Sequence, residues 1–275
     1  MIELEKDVFI FGNWKMSQDL RGFQEFVAAW PTIESEFSSS GNWSKIEAAI
    51  FASFIQIPAL RAFRLKSLMI GAQDCSSEAQ GAFTGEVSAS SLAEFGAQGL
   101  LVGHSERRKR ASETPESLLS KLKNAKEANL QIVYCVGESE AERDKGQVFE
   151  VLKQQLAVLN ELLPASILIA YEPVWAIGTG KTPSLAEIQE VHQWIQKSYP
   201  DIPILYGGSV KPENAREILG VPGVRGLLIG GASLQKESFK SLLECALDYL
   251  DSKFGHSKAV EKPEEKEKDS KVKKD

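Results

Sequence analysis

Three cysteines in 275 residues, with no Cys-x-x-Cys among them, leave neither a disulfide framework nor a zinc site to organise this chain. Cys75 sits in a polar stretch and is expected at the surface. Cys135 lies in an apolar run and is expected in the core, and Cys245 is remote from both. The simple inference is a reducing, cytoplasmic setting. A basic surplus is also lacking. Against 38 Asp and Glu stand 32 Lys and Arg, and the net charge of −6 offers no footing to nucleic acid or an anionic membrane. No apolar run approaches the roughly 20 residues that cross a bilayer, and the first residues lack the basic-then-apolar pattern of a secretory signal. Gly-x-Gly-x-x-Gly does not follow the first apolar run. Histidine is scarce, at three, and no cluster has metal-ligand spacing, so neither a metal nor a cofactor is expected. With 43% apolar and 25% charged residues, a globular protein is what these absences leave.

What the chain does have is a repeating alternation. Apolar runs at 8–11, 46–51, 68–71, 99–103, 132–136, 167–170, 202–206 and 227–229 read as short strands. They are continuous rather than alternating, as parallel strands buried on both faces are. Helical patterns stand between them. Leu20, Phe23, Phe26, Val27 and Trp30 share one face; Thr114 before Pro115 reads as an N-cap; residues 148–163 form an amphipathic helix; a last helix covers 235–251. Eight β-α units in about 250 residues predict an α/β fold, a single-domain (β/α)8 barrel over residues 1–252. An open doubly wound sheet is the structural alternative, and the polar or glycine-rich clusters after nearly every strand argue against it. From Lys253 to Asp275 the chain is expected to be a disordered, charged tail. A frayed helix or a docking tail is the other reading.

In a barrel, the loops after the strands share one face, and chemistry gathers there. The sixth run opens into Ala170–Lys181, Ala-Tyr-Glu-Pro-Val-Trp-Ala-Ile-Gly-Thr-Gly-Lys. Glu172 ends the strand, Pro173 stiffens the exit, and Gly178 and Gly180 loosen the loop beyond. This is a base beside a hinged loop, or a strand with an incidental Glu. Asn13 and Lys15 follow strand one, His104 and Glu106 follow strand four, Gly207-Gly208-Ser209 follow strand seven, and Gly230-Gly231 end strand eight. Singly, Lys15 reads as a solvated lysine, His104 as a core histidine, and each glycine pair as a turn. One of Arg107 to Arg110 is a candidate partner for Glu106. Together, a carboxylate, an imidazole, an ammonium and glycine N–H groups suit proton transfer on a small phosphorylated carbonyl compound. A helix starting after His104 would keep that imidazole neutral, as a donor.

The chain resembles the triosephosphate isomerase family. The matching stretches are Gly12–Lys15, Gly81–Glu86, Val102–Arg108, Cys135–Glu138, Ala170–Thr182, Tyr206–Val210 and Leu228–Leu234, in order along the chain. The resemblance implies interconversion of dihydroxyacetone phosphate and D-glyceraldehyde 3-phosphate through an enediolate, a step of glycolysis and gluconeogenesis. It implies Glu172 as base, neutral His104 as electrophile, and Lys15 and Asn13 on the substrate oxygens. Gly178, Ser209, Gly230 and Gly231 would bind the phosphate through backbone N–H groups. Residues 176–180 would be a lid between hinges at 173–175 and 181–183. Ile177 and Leu228 would press on the carboxylate, and Glu106 and Tyr206 would support Lys15 and the closed lid. The loop from Gln73 to Glu86 would enter a second copy, with Thr84 near that copy's Asn13, which implies a homodimer. Departures are Ser17, Arg225, the Phe54–Pro58 stretch without its Pro-Pro pair, and a second hinge that ends in Pro183. Arg225 puts a local salt bridge in doubt, and none removes a group of the implied chemistry.

Overall fold

The computed structural model describes residues 6–162, 167–178 and 181–256. Among these, the strands are β1 (Val8–Asn13), β2 (Ile46–Ala52), β3 (Leu68–Ala72), β4 (Gly99–Val102), β5 (Gln131–Val136), β6 (Ile167–Tyr171), β7 (Ile204–Tyr206) and β8 (Gly226–Ile229). Each pairs in parallel with the next, and β8 pairs back onto β1, so the sheet closes as a (β/α)8 barrel. Around it lie α1 (Leu20–Ser38), α2 (Ile57–Ala62), α3 (Ala89–Glu94), α4 (Ser105–Ala111), α5 (Pro115–Glu127), α6 (Glu140–Asp144), α7 (Val148–Leu156), α8 (Leu185–Ser198), α9 (Pro212–Leu219) and α10 (Lys236–Phe254).

The unbroken apolar runs have their physical reason in two cores. Side chains alternate across a strand, so Phe9 and Phe11 point into the barrel while Val8 and Ile10 face the helices. Inside, Phe11 and Phe51 pack with ring centroids 5.6 Å apart, above Met69, Leu101, Val133 and Leu168. Outside, Trp14, Phe26, Trp30 and Phe239 tie α1 and α10 to each other and to the end of β1. Both faces of each strand are therefore dry, and polar side chains are left to the strand ends.

Several expectations are corrected. Leu20 is the first residue of α1, before the helix turns onto the barrel, and is 72% exposed. The amphipathic stretch from Val148 is α-helical only to Leu156 and tightens into a 3-10 turn over Ala157–Glu161; Leu163 lies outside the described residues. Cys75 is buried, because the loop after β3 folds over it, and burial beside Asp74 pushes its thiol up to about 12. The last helix runs to Phe254, and the remainder of the expected tail, from Ser257, lies outside the described residues. Arg225 has a role of its own. Its guanidinium donates to the carbonyls of Asp7 (3.0 Å) and Lys6 (2.7 Å), fastening β8 to the chain just before β1.

His192 on α8 carries a pH dependence. Its ring is fully buried beside Tyr171 and Tyr206, and Nδ1 meets the Gly223 carbonyl at 3.2 Å. Nε2 has no partner among the described residues, and burial pulls the pKa down from 6.5 to about 4. The folded state thus holds this imidazole neutral where the unfolded chain would protonate it. Its contribution is full above about pH 6.5 and falls as pH drops towards 4; the interval corresponds to on the order of 3 kcal/mol. His192→Gln is expected to flatten the loss of stability over that window. Urea midpoints for both proteins at about pH 7 and about pH 4.5 check this, and an equal drop in both would refute it.

Candidate active site

The strands' C-terminal ends converge on a cleft of about 680 Å3. Asn13 and Lys15 line it from β1, His104 from β4, Glu172, Ile177 and Gly178 from the segment after β6, Ser209 from β7, and Leu228, Gly230 and Gly231 from β8. Residues more than two hundred positions apart in sequence thereby face one space. Glu106 and Tyr206 stand behind it, and Thr84 lies elsewhere, exposed on the loop after β3.

Glu172 follows β6, and its N–H donates to the Val136 carbonyl at 2.7 Å, which extends the β5–β6 pairing by one step. Its side chain is buried, at 2% exposure. One carboxylate oxygen lies 3.1 Å from His104 Nε2, and the other accepts from the Ser105 backbone N–H at 3.1 Å. His104 is the N-cap of α4, with Nδ1 accepting from the Glu106 N–H at 3.2 Å. A ring nitrogen that accepts cannot carry a hydrogen, so the proton sits on Nε2, facing Glu172. The imidazole is a neutral donor by geometry.

Lys15 has φ of 50°, a left-handed backbone that costs a non-glycine residue about 1–3 kcal/mol. Two contacts hold it. The Lys15 N–H donates to Asn13 Oδ1 at 3.0 Å, and Gln73 Nε2 donates to the Lys15 carbonyl at 2.9 Å. At about 1 kcal/mol net each, they offset much of the strain. The ammonium meets Glu106 Oε1 at 2.7 Å. Burial opposes the charge on Glu106, but the Lys15 bond and the nearby Arg110 outweigh it, and the carboxyl stays below its usual range. The basic run does not supply this partner. Arg107 pairs with Asp74 at 2.7 Å, and Arg108 donates to the carbonyls of Gly103 and Cys135. A Cβ at Gly230 would sit 3.6 Å from Lys15 Cε, so the lysine stem runs along the glycine pair, and a Cβ at Gly231 would meet nothing. Both glycines present bare backbone to the cleft.

After Pro173 the chain makes a 3-10 turn, Val174–Ala176. Glu138, fully buried, organises it. Its Oε1 accepts from Trp175 Nε1 (2.8 Å), Tyr171 Oη (3.2 Å) and Arg143 Nη1 (3.0 Å), and its carbonyl accepts from Val174 N–H. Arg143 also stacks over Trp175 and reaches Glu187 on α8. The Ser209 hydroxyl donates to the Ala176 carbonyl at 2.6 Å. Gly178 has φ of 69°, which suits a residue without a Cβ. Thr179 and Gly180 of the expected lid lie outside the described residues; beyond them Lys181 pairs with Glu140 on α6. The Tyr206 hydroxyl is buried with no partner among the described residues, and burial pushes its pKa up, so it remains a donor.

Sequence reasoning missed the Ser105 N–H, the Gln73 clamp and the Glu138 hub. Glu138 and Ser105 had a signal, since each lies in a matched stretch, but Ser105 acts through its backbone N–H.

A barrel that sets a buried carboxylate against a neutral imidazole, with an ammonium beside bare glycine backbone, defines an enzyme of the proton-transferring kind. The comparisons name the family. The family model described as triosephosphate isomerase matches residues 8–246. The triosephosphate isomerase of a Jannaschia species is 46% identical over 242 residues, covering 84% of this chain and 95% of the relative. That of Alkaliphilus metalliredigens is 40% identical over 248 residues, covering 85% and 97%. The crystal structure of triosephosphate isomerase from Bartonella henselae superposes with a TM-score of 0.75 at 34% identity, over 87% of this chain and 98% of that one. The chain belongs to the triosephosphate isomerase family.

Proposed function

We propose a division of labour for the reaction that family membership assigns to this chain, the reversible interconversion of dihydroxyacetone phosphate and D-glyceraldehyde 3-phosphate. Glu172 removes a proton from C1 of the ketone and returns it at C2. His104 Nε2–H donates to the carbonyl oxygen as charge develops there and carries protons between the two oxygens of the enediolate. Lys15 adds positive charge beside the enediolate and the phosphate, and Asn13 orients the substrate oxygen. Backbone N–H groups of Gly178, Ser209, Gly230 and Gly231 receive the phosphate. Ile177 and Leu228 exclude water from the carboxylate, which matters because an exposed enediol phosphate can eliminate phosphate. The Tyr206 hydroxyl is available to the lid backbone. The observation that carries this reading is the 3.1 Å approach of Glu172 to an imidazole whose other nitrogen already accepts a backbone hydrogen bond. A coupled assay for triose phosphate turnover tests it, alongside the Glu172→Gln variant. No turnover of dihydroxyacetone phosphate by the wild-type chain would defeat it, and a phosphate-binding barrel acting on another sugar phosphate would then be preferred.

We also propose a homodimer built on the loop from Gln73 to Glu86. Thr84 is exposed on it and Phe83 is 45% exposed, while Met16 and Ile55 on neighbouring loops are 100% and 88% exposed. Apolar side chains so bare, gathered on one end, favour a second copy over water. Light scattering at micromolar concentration is expected to give twice the chain mass; a monomeric mass would refute the loop's role. Three free thiols support residence in the cytoplasm. Among the described residues, no helix is long and apolar enough to cross a membrane.

A further inference from the structure

The end of β5 outruns its neighbour on one side. β4 pairs with β5 only as far as Tyr134, opposite Val102, whereas β6 follows β5 to its last residue. Successive residues of a strand turn their peptide groups to opposite sides. The carbonyls of Val136 and Glu138 face the β6 side, where they accept from the N–H groups of Glu172 (2.7 Å) and Val174 (3.0 Å). Gly137, between them, therefore presents its own N–H and carbonyl on the side that β4 has left. A side chain from the outer helix layer takes both. The half-buried Gln155 on α7 accepts from the Gly137 N–H at 2.8 Å and donates to the Gly137 carbonyl at 2.9 Å, in place of a strand. Gln155 is itself fastened to β5, since its carbonyl accepts from the Tyr134 hydroxyl at 2.7 Å.

Gly137 in turn bears on Glu172. A Cβ on Gly137 would overlap the Glu172 carbonyl, so the two backbones lie in contact there. On the other flank, a Cβ on Gly207, just past β7, would stand 2.9 Å from Glu172 Cγ. Glu172 is thus wedged between two glycines, and groups packed this densely pass a displacement on rather than absorb it. We propose that Gln155 is a positioning residue for Glu172. It touches no substrate. It fixes Gly137, and Gly137 fixes the peptide that carries the carboxylate. The proposal rests on the reading of Glu172 as the base and adds a residue of the outer layer to what that base requires.

Steady-state kinetics of Gln155→Leu with dihydroxyacetone phosphate, corrected for the folded fraction, test the proposal. Both bonds to Gly137 are then gone, and kcat is expected to fall by at least about tenfold with KM nearly unchanged. Gln155→Glu keeps an acceptor for the Gly137 N–H and should retain more of the kcat; it also keeps the test open should Gln155→Leu fold poorly. Tyr199→Phe releases the neighbouring Leu156 carbonyl, held at 3.0 Å, without touching Gly137, and should leave kcat as it is. With substrate deuterated at C1, the isotope effect on kcat in Gln155→Leu should be at least as large as in the wild type, because proton removal is the step that slows. A wild-type kcat in both Gln155 variants, a loss confined to KM, an equal loss in Tyr199→Phe, or a smaller isotope effect would each overturn the proposal. A normal kcat in Gln155→Leu beside an inactive Glu172→Gln would sink this proposal alone, whereas an active Glu172→Gln would sink the reading of the base.

Discussion

Glu172→Gln is expected to lower kcat by at least ~10²–10⁴-fold with little change in KM. The substitution keeps shape and volume. Its amide oxygen can still accept from the Ser105 N–H, as the carboxylate does at 3.1 Å, so the buried position stays filled, although its NH2 then faces the His104 Nε2–H and that pairing is lost. It cannot take a proton from carbon. The groups proposed to hold the phosphate, Gly178 after β6, Ser209 after β7 and Gly230 and Gly231 after β8, are not substituted, so ground-state binding should persist. Steady-state kinetics with dihydroxyacetone phosphate decide the matter, with a melting curve beside them. Unchanged turnover would remove Glu172 from the mechanism; lost turnover with an unfolded protein would call for a gentler substitution such as Asp.

Gly137→Ala is expected to impair the enzyme about as severely although it substitutes no catalytic residue. Gly137 follows β5 directly beneath the segment after β6. A Cβ there would overlap the Glu172 backbone carbonyl and crowd its Cα. Gly137 cannot retreat, because Gln155 grips it on both sides, accepting from its N–H at 2.8 Å and donating to its carbonyl at 2.9 Å. The backbone of the base must therefore move. Overpacking of this kind costs about 1–3 kcal/mol, and misplacing a reacting group by about 1 Å costs about 10²-fold in rate. The variant should show a depressed melting midpoint and a kcat/KM reduced by at least about 10²-fold. Wild-type kinetics would show that the β5–β6 junction has slack that the geometry denies it.

The barrel was legible because eight continuous apolar runs read as parallel strands dry on both faces, and because the polar or glycine-rich clusters after nearly every one of them argued against an open doubly wound sheet. Polar residues are then confined to strand ends, and Asn13, Lys15, His104 and Glu172 stand out there for that reason alone. What could not be read depends on chain segments meeting at a distance. Gln73 reaches Lys15 across 58 positions. The Ser105 N–H that holds Glu172 is backbone, and every residue but proline has one. Cys75 has polar neighbours along the chain and apolar ones in space, so its expected exposure failed. Helix α7 stops at Leu156 because the pattern that marks an amphipathic helix serves a 3-10 turn almost as well over one further turn.

The left-handed backbone at Lys15 bears on how this protein can be redesigned. A search for thermostability that rewards relaxed backbone would nominate glycine or asparagine at position 15, and locally it would be right. It would also delete the ammonium held 2.7 Å from Glu106 at the edge of the cleft. Robustness and turnover pull in opposite directions at this one position. Any consensus or computational stabilisation of the chain should keep residue 15 fixed and look for its gains in the outer helices.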